Sequence, residues 1–160
     1  MRWLVVLVVA CTPAVRPQLQ QLPAQSKLYD LQTAAPFVAA ERYRGKVVVL
    51  DFWAGWCLEC KRTVPQIRRL ADAFAPAGLV VVGVNAGEGA ADVAAYAKDL
   101  GIDYPIALDP ELELSDRVGA GKLPMLLVLD RDGSIVHRAK TVDAETLGVI
   151  RKLLGPRTAR

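Results

Sequence analysis

VVVLDFWAGWCLEC, residues Val47–Cys60, is the stretch from which the fold of this chain is predicted. Its first six residues are apolar except for Asp51, and a run so rich in valine is typical of a fully buried strand in a parallel or mixed sheet. A tight connection at Ala54-Gly55 follows, and a helical pattern then begins at Cys57. The stretch therefore predicts a buried strand, a short turn and a helix that starts at a cysteine.

The two cysteines of the motif Cys57-Leu58-Glu59-Cys60 are spaced so that they share one face of a helical turn. If Cys57 opens the helix, its sulfur lies among unpaired backbone N–H groups at the positive end of the helix dipole, which favours thiolate over thiol. Cys60, one turn further on, can then attack a mixed disulfide formed on Cys57. A purely structural disulfide is the alternative, but a bridge that closes so small a loop removes little chain entropy. We therefore predict a redox-active dithiol, with Cys57 as nucleophile and Cys60 as the more buried, resolving thiol.

Around this dithiol the chain resembles the thioredoxin superfamily. The matching residues are Asp51-Phe52-Trp53-Ala54, Trp56-Cys57-x-x-Cys60-Lys61 and Pro65. Two later stretches, residues 78–85 and 123–136, resemble the membrane-tethered, extracytoplasmic branch of that superfamily. That branch includes the TlpA/ResA-like thiol-disulfide oxidoreductases and the cytochrome c maturation thioredoxins. The resemblance covers roughly residues 28–154, most of the chain.

The predicted fold class is α/β, with a mixed central sheet flanked by helices. Apolar runs and helical patterns alternate along the chain and end in a hairpin and a helix, an order typical of this class. The resemblance implies a thioredoxin fold with a TlpA-like helix–strand insertion after Asn85 and an N-terminal extension that contains a hairpin.

Individual elements are predicted from apolar periodicity and from capping residues. A first helix is expected from Cys57 to about Ala75, before Pro76, with a buried stripe of Val64, Ile67, Ala71 and Phe74. Asp109-Pro110 is predicted to cap and start a short helix with proline at its first position. Other elements are expected at residues 79–84 (strand), 90–100 (helix), 104–108 (strand), 125–129 with 134–138 (hairpin), and in a last helix that Asp143 caps and that ends near Leu154.

Asp51 is the one charged residue of the buried strand, and a buried carboxylate is costly unless it is neutral or paired. The resemblance implies that Asp51 lies under the dithiol and accepts a proton from Cys60. The alternative is a carboxylate at a strand end that is bonded only to backbone.

Three residues are expected to bind substrate. The resemblance implies a cis peptide bond before Pro124, which exposes the backbone of Leu123 so that a substrate strand can pair there. Trp56 is expected to cover the sulfur and supply an apolar docking face, with plain core packing as its alternative. Trp53 is interpreted mainly as a core residue.

Glu59 lies between the two cysteines, where thioredoxins have proline. A carboxylate near the sulfur opposes the thiolate, which would stabilise the disulfide and make the couple more reducing. The alternative is a surface residue of negligible effect.

The first residues of the chain predict export. One positive residue is followed by the apolar run Trp3–Ala10, a pattern typical of a secretory signal and too short to span a bilayer. Val8-Val9-Ala10-Cys11 resembles a bacterial lipobox, in which Cys11 would be lipidated; an uncleaved apolar start with an inert Cys11 is the alternative. We therefore expect a signal and lipobox at 1–11, a Pro- and Gln-rich flexible tether at 12–27 and a thioredoxin-like domain at 28–156.

Composition limits the function classes. With 160 residues and a net charge of +3 the chain fits one domain with a mildly basic surface, which is too weak a charge for a nucleic-acid footprint. We expect a monomeric, extracytoplasmic thiol-disulfide oxidoreductase without a cofactor, lipid-anchored at a membrane surface. Its expected partners are disulfide-containing exported proteins and a membrane thiol-electron donor, because a dithiol in an oxidising compartment needs an outside source of electrons.

Two other functions remain open at this point. A peroxiredoxin-type peroxidase is disfavoured because that class sets its cysteine in a Thr/Ser-x-x-Cys pattern. A copper chaperone could use Cys57 and Cys60 as soft ligands, with His137 as the one histidine available. A structural zinc site needs four ligands, whereas these three residues leave only the distant Cys11, so no metal site is predicted. His137 is instead interpreted as a surface imidazole.

Overall fold

The computed structural model describes residues 20–23 and 26–155. The predicted signal, Cys11 and residues 12–19 and 24–25 of the predicted tether lie outside these residues. The described part of that tether is instead joined to the domain, because Gln20 and Gln21 pair with Ile135 and Ser134 and Leu22 is buried in the core. The strands are β1 (Gln20–Gln21), β2 (Lys27–Asp30), β3 (Pro36–Val38), β4 (Val47–Trp53), β5 (Leu79–Ala86), β6 (Ile106–Asp109), β7 (Met125–Leu129) and β8 (Ser134–Ala139). The helices are α1 (Ala39–Arg42), α2 (Leu58–Phe74), α3 (Ala90–Leu100), α4 (Glu113–Val118) and α5 (Ala144–Leu154), with a 3-10 turn at Ala75–Ala77.

The strands form one mixed sheet in the order β1-β8-β7-β4-β5-β6-β2-β3. β4 is parallel to β5 and antiparallel to β7, so the predicted buried strand lies at the centre, and all seven of its residues are buried. The predicted α/β class with a mixed sheet is therefore confirmed. Among the described residues, no helix is both long and apolar enough to cross a membrane.

The two faces of β4 enter different cores, because successive side chains of a strand point to opposite sides. Val48, Leu50 and Phe52 belong to a cluster on one side. Val47 and Val49 pack with residues of α2 and α5 on the other side. By this alternation Asp51 points to the face that α2 covers.

The first helix agrees closely with its prediction. Cys57 is the N-cap of α2, and Pro76 lies in the 3-10 turn that follows the helix. The buried stripe differs in one detail: Leu70 is fully packed, whereas Ala71 and Phe74 are only half-buried beside it. The last turn of α2 is thus less buried than the turns before it, although Ala71 and Phe74 still pack against the core.

The insertion after β5 contains α3, β6 and α4. The prediction that Pro110 starts a helix is wrong, since α4 begins at Glu113 after Leu112, whose φ is +57°. Asp109 nevertheless caps α4, although it lies four residues before the helix begins. Its carboxylate accepts hydrogen bonds from the backbone N–H groups of Leu114 and Ser115 in the first turn. The strand before it is also shorter at its start than predicted and begins at Ile106.

The two ends of the domain match expectation. β2 and β3 form the expected N-terminal antiparallel hairpin, and β2 continues the sheet beyond β6. β7 and β8 form the predicted hairpin. Asp143 caps α5 by accepting the backbone N–H of Thr146 at 2.8 Å, and the helix ends at Leu154.

Candidate active site

The two cysteines lie at the first turn of α2 and are joined in a disulfide with their Cα atoms 5.3 Å apart. Cys57 has an extended backbone and caps the helix, and its Sγ accepts the backbone N–H of Cys60 at 3.1 Å. In the reduced protein this same position places the Cys57 sulfur at the positive end of the helix. The turn before it is closed by a bond from the Cys57 N–H to the carbonyl of Ala54.

The disulfide is covered on the protein side and flanked by apolar groups on the solvent side. Cys57 is 5% exposed and Cys60 0%, the order predicted for nucleophile and resolving thiol, although the difference is small. Trp56 and Leu58, the neighbours of Cys57 in sequence, are 68% and 72% exposed. Core packing as the role of Trp56 is therefore wrong, whereas Trp53 is fully buried, as expected of a core residue.

Asp51 is completely buried inside β4. Its Oδ2 accepts a hydrogen bond from the hydroxyl of Tyr104 at 2.8 Å, and its Oδ1 has no hydrogen-bond partner among the described residues. Burial raises the pKa of Asp51 to about 6, and the bond from Tyr104 limits that rise. The alternative of a strand-end carboxylate held only by backbone is wrong, because the partner of Asp51 within the described part of the chain is the side chain of Tyr104.

Asp51 and the dithiol share one face of the sheet. Trp53, two residues after Asp51 and therefore on the same face, packs in one cluster with Cys57 and Cys60. Leu123 packs at the edge of this cluster, and its peptide bond to the buried Pro124 is cis, as expected. The predicted substrate-binding residues and the dithiol thus come from one end of the molecule.

Glu59 is exposed and pairs with the guanidinium of Arg62 at 2.9 Å. Both side chains are mostly in solvent, where water and the paired charge weaken any field on a neighbouring sulfur. The position of Glu59 is thus the one expected for a surface residue of small effect.

Glu88 is a polar contact of the active-site turn that the sequence did not predict. Its Oε2 accepts the backbone N–H of Gly55 and the side-chain amide of Asn85, each at 2.7 Å. One feature of the sequence could have indicated this contact. Asn85 is a polar residue at the carboxyl end of the buried parallel strand β5, and polar groups gather at this end of the strands in such sheets.

At Gly55 the turn approaches α3 so closely that a side chain would displace the ring of Tyr96. A Cβ atom at this position would lie 2.1 Å from the ring of Tyr96 in α3. The ring of Tyr96 therefore lies directly against the backbone of the turn that precedes the dithiol.

The sequence of this chain matches a known protein family. Residues 24–138 match the AhpC/TSA family. The chain belongs to this family.

Named relatives in sequence include thiol-disulfide oxidoreductases. The chain is 33% identical over 93 residues to the ResA protein of Geobacillus thermodenitrificans, covering 58% of this chain and 53% of the relative. It is 37% identical over 99 residues to the protein DipZ of Mycobacterium tuberculosis, covering 59% of this chain and 14% of that longer protein. The chain thus spans about half the length of the ResA relatives it matches.

Solved structures share the fold. A DsbE-type thiol:disulfide interchange protein from Chlorobium tepidum superposes with a TM-score of 0.73 at 23% identity, covering 86% of this chain and 97% of that one. A secreted disulfide oxidoreductase from Mycobacterium tuberculosis gives a TM-score of 0.65 at 20% identity, covering 79% and 93%. The predicted thioredoxin-like fold is confirmed.

Although the chain belongs to the AhpC/TSA family, it lacks a Thr/Ser-x-x-Cys pattern at the dithiol, because the residue three positions before Cys57 is Ala54.

The prediction that His137 is a surface imidazole is wrong. His137 is largely buried under α5, where its ring nitrogens face Thr146 and Glu145. Across the described part of the chain, no group of three or more His, Cys, Asp or Glu side chains is arranged to hold a metal ion.

Proposed function

We propose that this chain is an extracytoplasmic thiol-disulfide oxidoreductase that reduces disulfides of exported proteins, for example in cytochrome c maturation. The observation that carries the proposal is the position of Cys57 as the N-cap of α2, with Cys60 buried one turn behind it. The names of the ResA relatives support the same activity.

The reaction balances with the dithiol as the source of two electrons. The Cys57 thiolate attacks one sulfur of the substrate disulfide, forming a mixed disulfide and releasing the other substrate sulfur as a thiolate. Cys60 then loses its proton and attacks Sγ of Cys57, which closes the Cys57–Cys60 disulfide and releases the second substrate thiolate. Both released thiolates take up protons, so the substrate gains two electrons and two protons.

Asp51 is proposed as the acceptor of the Cys60 proton. Its pKa of about 6 leaves it ionised at neutral pH yet more basic than an ordinary aspartate, which suits a general base. The position of Asp51 on the α2 face of β4 supports this role.

Substrate docking is proposed on the surface formed by Trp56, Leu58 and the backbone of Leu123. Two large exposed apolar side chains beside Cys57 favour a peptide segment with apolar residues next to its cysteine. The carbonyl and N–H of Leu123 would pair with the backbone of that segment. Glu59 is proposed only as a weak modulator of the couple, because Arg62 pairs its charge.

Location and partners are proposed from the first residues of the chain. The apolar run before Cys11 supports export, and one similar structure is described as secreted. We propose lipidation at Cys11, with a membrane thiol donor that reduces the domain again. Cys11→Ala should release the exported protein from the membrane fraction, and a variant that stays there at its mature mass would contradict the anchor.

The activity is tested by insulin reduction with dithiothreitol as electron source. The wild-type protein should accelerate precipitation of the insulin B chain, and Cys57→Ser should reduce the rate to the uncatalysed level. The direction is tested by equilibration with glutathione: a potential closer to the roughly −270 mV of thioredoxin than to the roughly −120 mV of a strong periplasmic oxidant supports a reductant. Full insulin activity in Cys57→Ser would overturn the proposal.

A further inference from the structure

We propose that Tyr104 is a positioning residue for the dithiol reaction: its hydroxyl holds Oδ2 of Asp51 and leaves Oδ1 as the oxygen that takes the Cys60 proton. This inference rests on the proposed role of Asp51 as base. It assigns a function to a residue that is distant in sequence from the dithiol and that contacts neither sulfur-bearing side chain by a hydrogen bond.

The contact is direct and enclosed. Tyr104 is buried just before β6, and its hydroxyl donates to Oδ2 of Asp51 at 2.8 Å. The other oxygen, Oδ1, is completely buried and meets no donor within the described part of the chain. One oxygen is therefore committed to the phenol, while the other keeps its lone pairs available for a proton.

Gly83 makes room for this arrangement. It lies opposite Asp51 in the β4–β5 register, and a Cβ atom there would stand 3.1 Å from Cε2 of Tyr104 and 2.9 Å from Nε1 of Trp53. Since a side chain at this position would push against both rings, the missing side chain lets the phenol ring reach across β5 to Asp51.

Among the described residues, Tyr104 is the one side chain that donates a hydrogen bond to Asp51, although the buried Nε1 of Trp53, which has no partner there, also lies beside Gly83. The register neighbours of Asp51 are Gly83 and Leu126, which carry no polar side chain. Two charged groups on the surface lie near Tyr104, Arg68 of α2 and Asp103, and they pair with each other at 2.8 Å. Because their charges are opposite, their effects on the pKa of Tyr104 oppose each other.

The phenol remains a donor throughout the working pH range. Burial, reinforced by the negative charge of Asp51, raises the pKa of Tyr104 well above its usual range. A neutral O–H that points at one carboxylate oxygen stabilises the ionised form and fixes the side-chain rotamer. Loss of the hydroxyl should therefore make Asp51 harder to ionise and less well oriented.

The test measures the two steps separately with the chromogenic disulfide dithiobis(nitrobenzoate). The reduced full chain releases one thionitrobenzoate when Cys57 attacks and a second when Cys60 resolves the mixed disulfide. In the wild type, the rate of the second release should rise with pH through the ionisation of Asp51. Tyr104→Phe should move that inflection upward by about one pH unit and leave the first release unchanged.

Tyr43→Phe is the matched control, because Tyr43 is a half-buried tyrosine that packs against Phe37 and Arg42 rather than Asp51. Its inflection should equal that of the wild type. An unmoved inflection in Tyr104→Phe, or equal shifts in both variants, would overturn the inference.

Two further measurements keep the outcome decisive. If Asp51→Asn leaves the inflection in place, Asp51 is not the base. If Asp51→Asn removes the inflection while Tyr104→Phe does not move it, only the proposed role of Tyr104 is wrong.

The second measurement is needed if Tyr104→Phe fails to fold. Biosynthetic fluorotyrosine is a stronger phenol donor of nearly the same size, so it should move the inflection to lower pH. No downward movement in that protein would equally contradict the inference.

Discussion

The carboxylate of Glu88 accepts the backbone N–H of Gly55 at 2.7 Å, and Gly55 lies two residues before Cys57. The same oxygen accepts the amide of the buried Asn85, so one carboxylate ties the active-site turn to the end of β5. The contact spans 33 residues of sequence and holds the turn that sets the direction of Trp56 and Cys57.

Removal of this carboxylate should loosen the turn. Glu88→Ala leaves two part-buried donors without an acceptor and should lower the free energy of unfolding by about 1–3 kcal/mol. Glu88→Gln can keep both bonds through its carbonyl oxygen, which has two lone pairs, but it lacks the negative charge; it should therefore lose less. Urea unfolding of the oxidised protein measures both, with the exposed Glu111→Ala as control. Equal effects of Glu88→Ala and Glu111→Ala would mean that the contact adds nothing to stability.

Asp51 should make stability depend on pH. Its pKa is 3.8 in the reference state and about 6 in the folded protein, so its protonated form favours folding below about pH 4, and that contribution is lost as the pH rises through 6. The shift corresponds to at most roughly 3 kcal/mol. Asp51→Asn should therefore be more stable than the wild type at neutral pH and lose this advantage in acid.

Urea unfolding of wild type and Asp51→Asn across this pH range measures the effect. Other acids titrate in both proteins, so the difference between the two curves isolates Asp51. A difference that does not change with pH, or a lower free energy of unfolding of Asp51→Asn at neutral pH, would show that Asp51 is mainly a structural hydrogen-bond acceptor.

The two cysteines should behave differently in single variants. Cys60→Ser should accumulate mixed disulfides with substrate, because the remaining Cys57 can attack but cannot be released from the product. Cys57→Ser should form none, since the thiol left is completely buried. Mass spectrometry of the trapped species tests this, and preferential alkylation of Cys60 by iodoacetamide in the reduced wild type would reverse the assignment.

Gly55 should accept a side chain only if the ring of Tyr96 moves. Gly55→Ala brings a methyl group to 2.1 Å from the ring, so the ring must move and stability should fall by about 1–3 kcal/mol. Tyr96→Ala in the same chain should recover part of that loss. Gly148→Ala, in the exposed interior of α5 with open space around it, should instead stabilise by about 0.5–1 kcal/mol.

The melting temperatures of these variants decide the point. If Tyr96→Ala does not reduce the effect of Gly55→Ala, the strain lies in the backbone of the turn rather than in the contact with the ring.

Most of the sheet and the position of the dithiol could be predicted because their signals are local. A valine-rich run, a turn and a cysteine at a helix start follow one another within fourteen residues, and β4, the turn and α2 form where this order predicts. The start of α4 could not be predicted in the same way. Asp109 there acts across a loop, so the pattern of an adjacent cap and proline was misleading.

The amino-acid sequence by itself determined the central strand, the helix that Cys57 caps and the burial of one carboxylate beside them, because each depends on neighbours within a few residues. Only the tertiary structure decided the partners of that centre. Tyr104 reaches Asp51 across 53 residues of sequence, and Glu88 reaches Gly55 across 33. Such contacts exist because β4, β5 and the segment before β6 align in one sheet, and no local pattern specifies which side chains that alignment brings within hydrogen-bond distance.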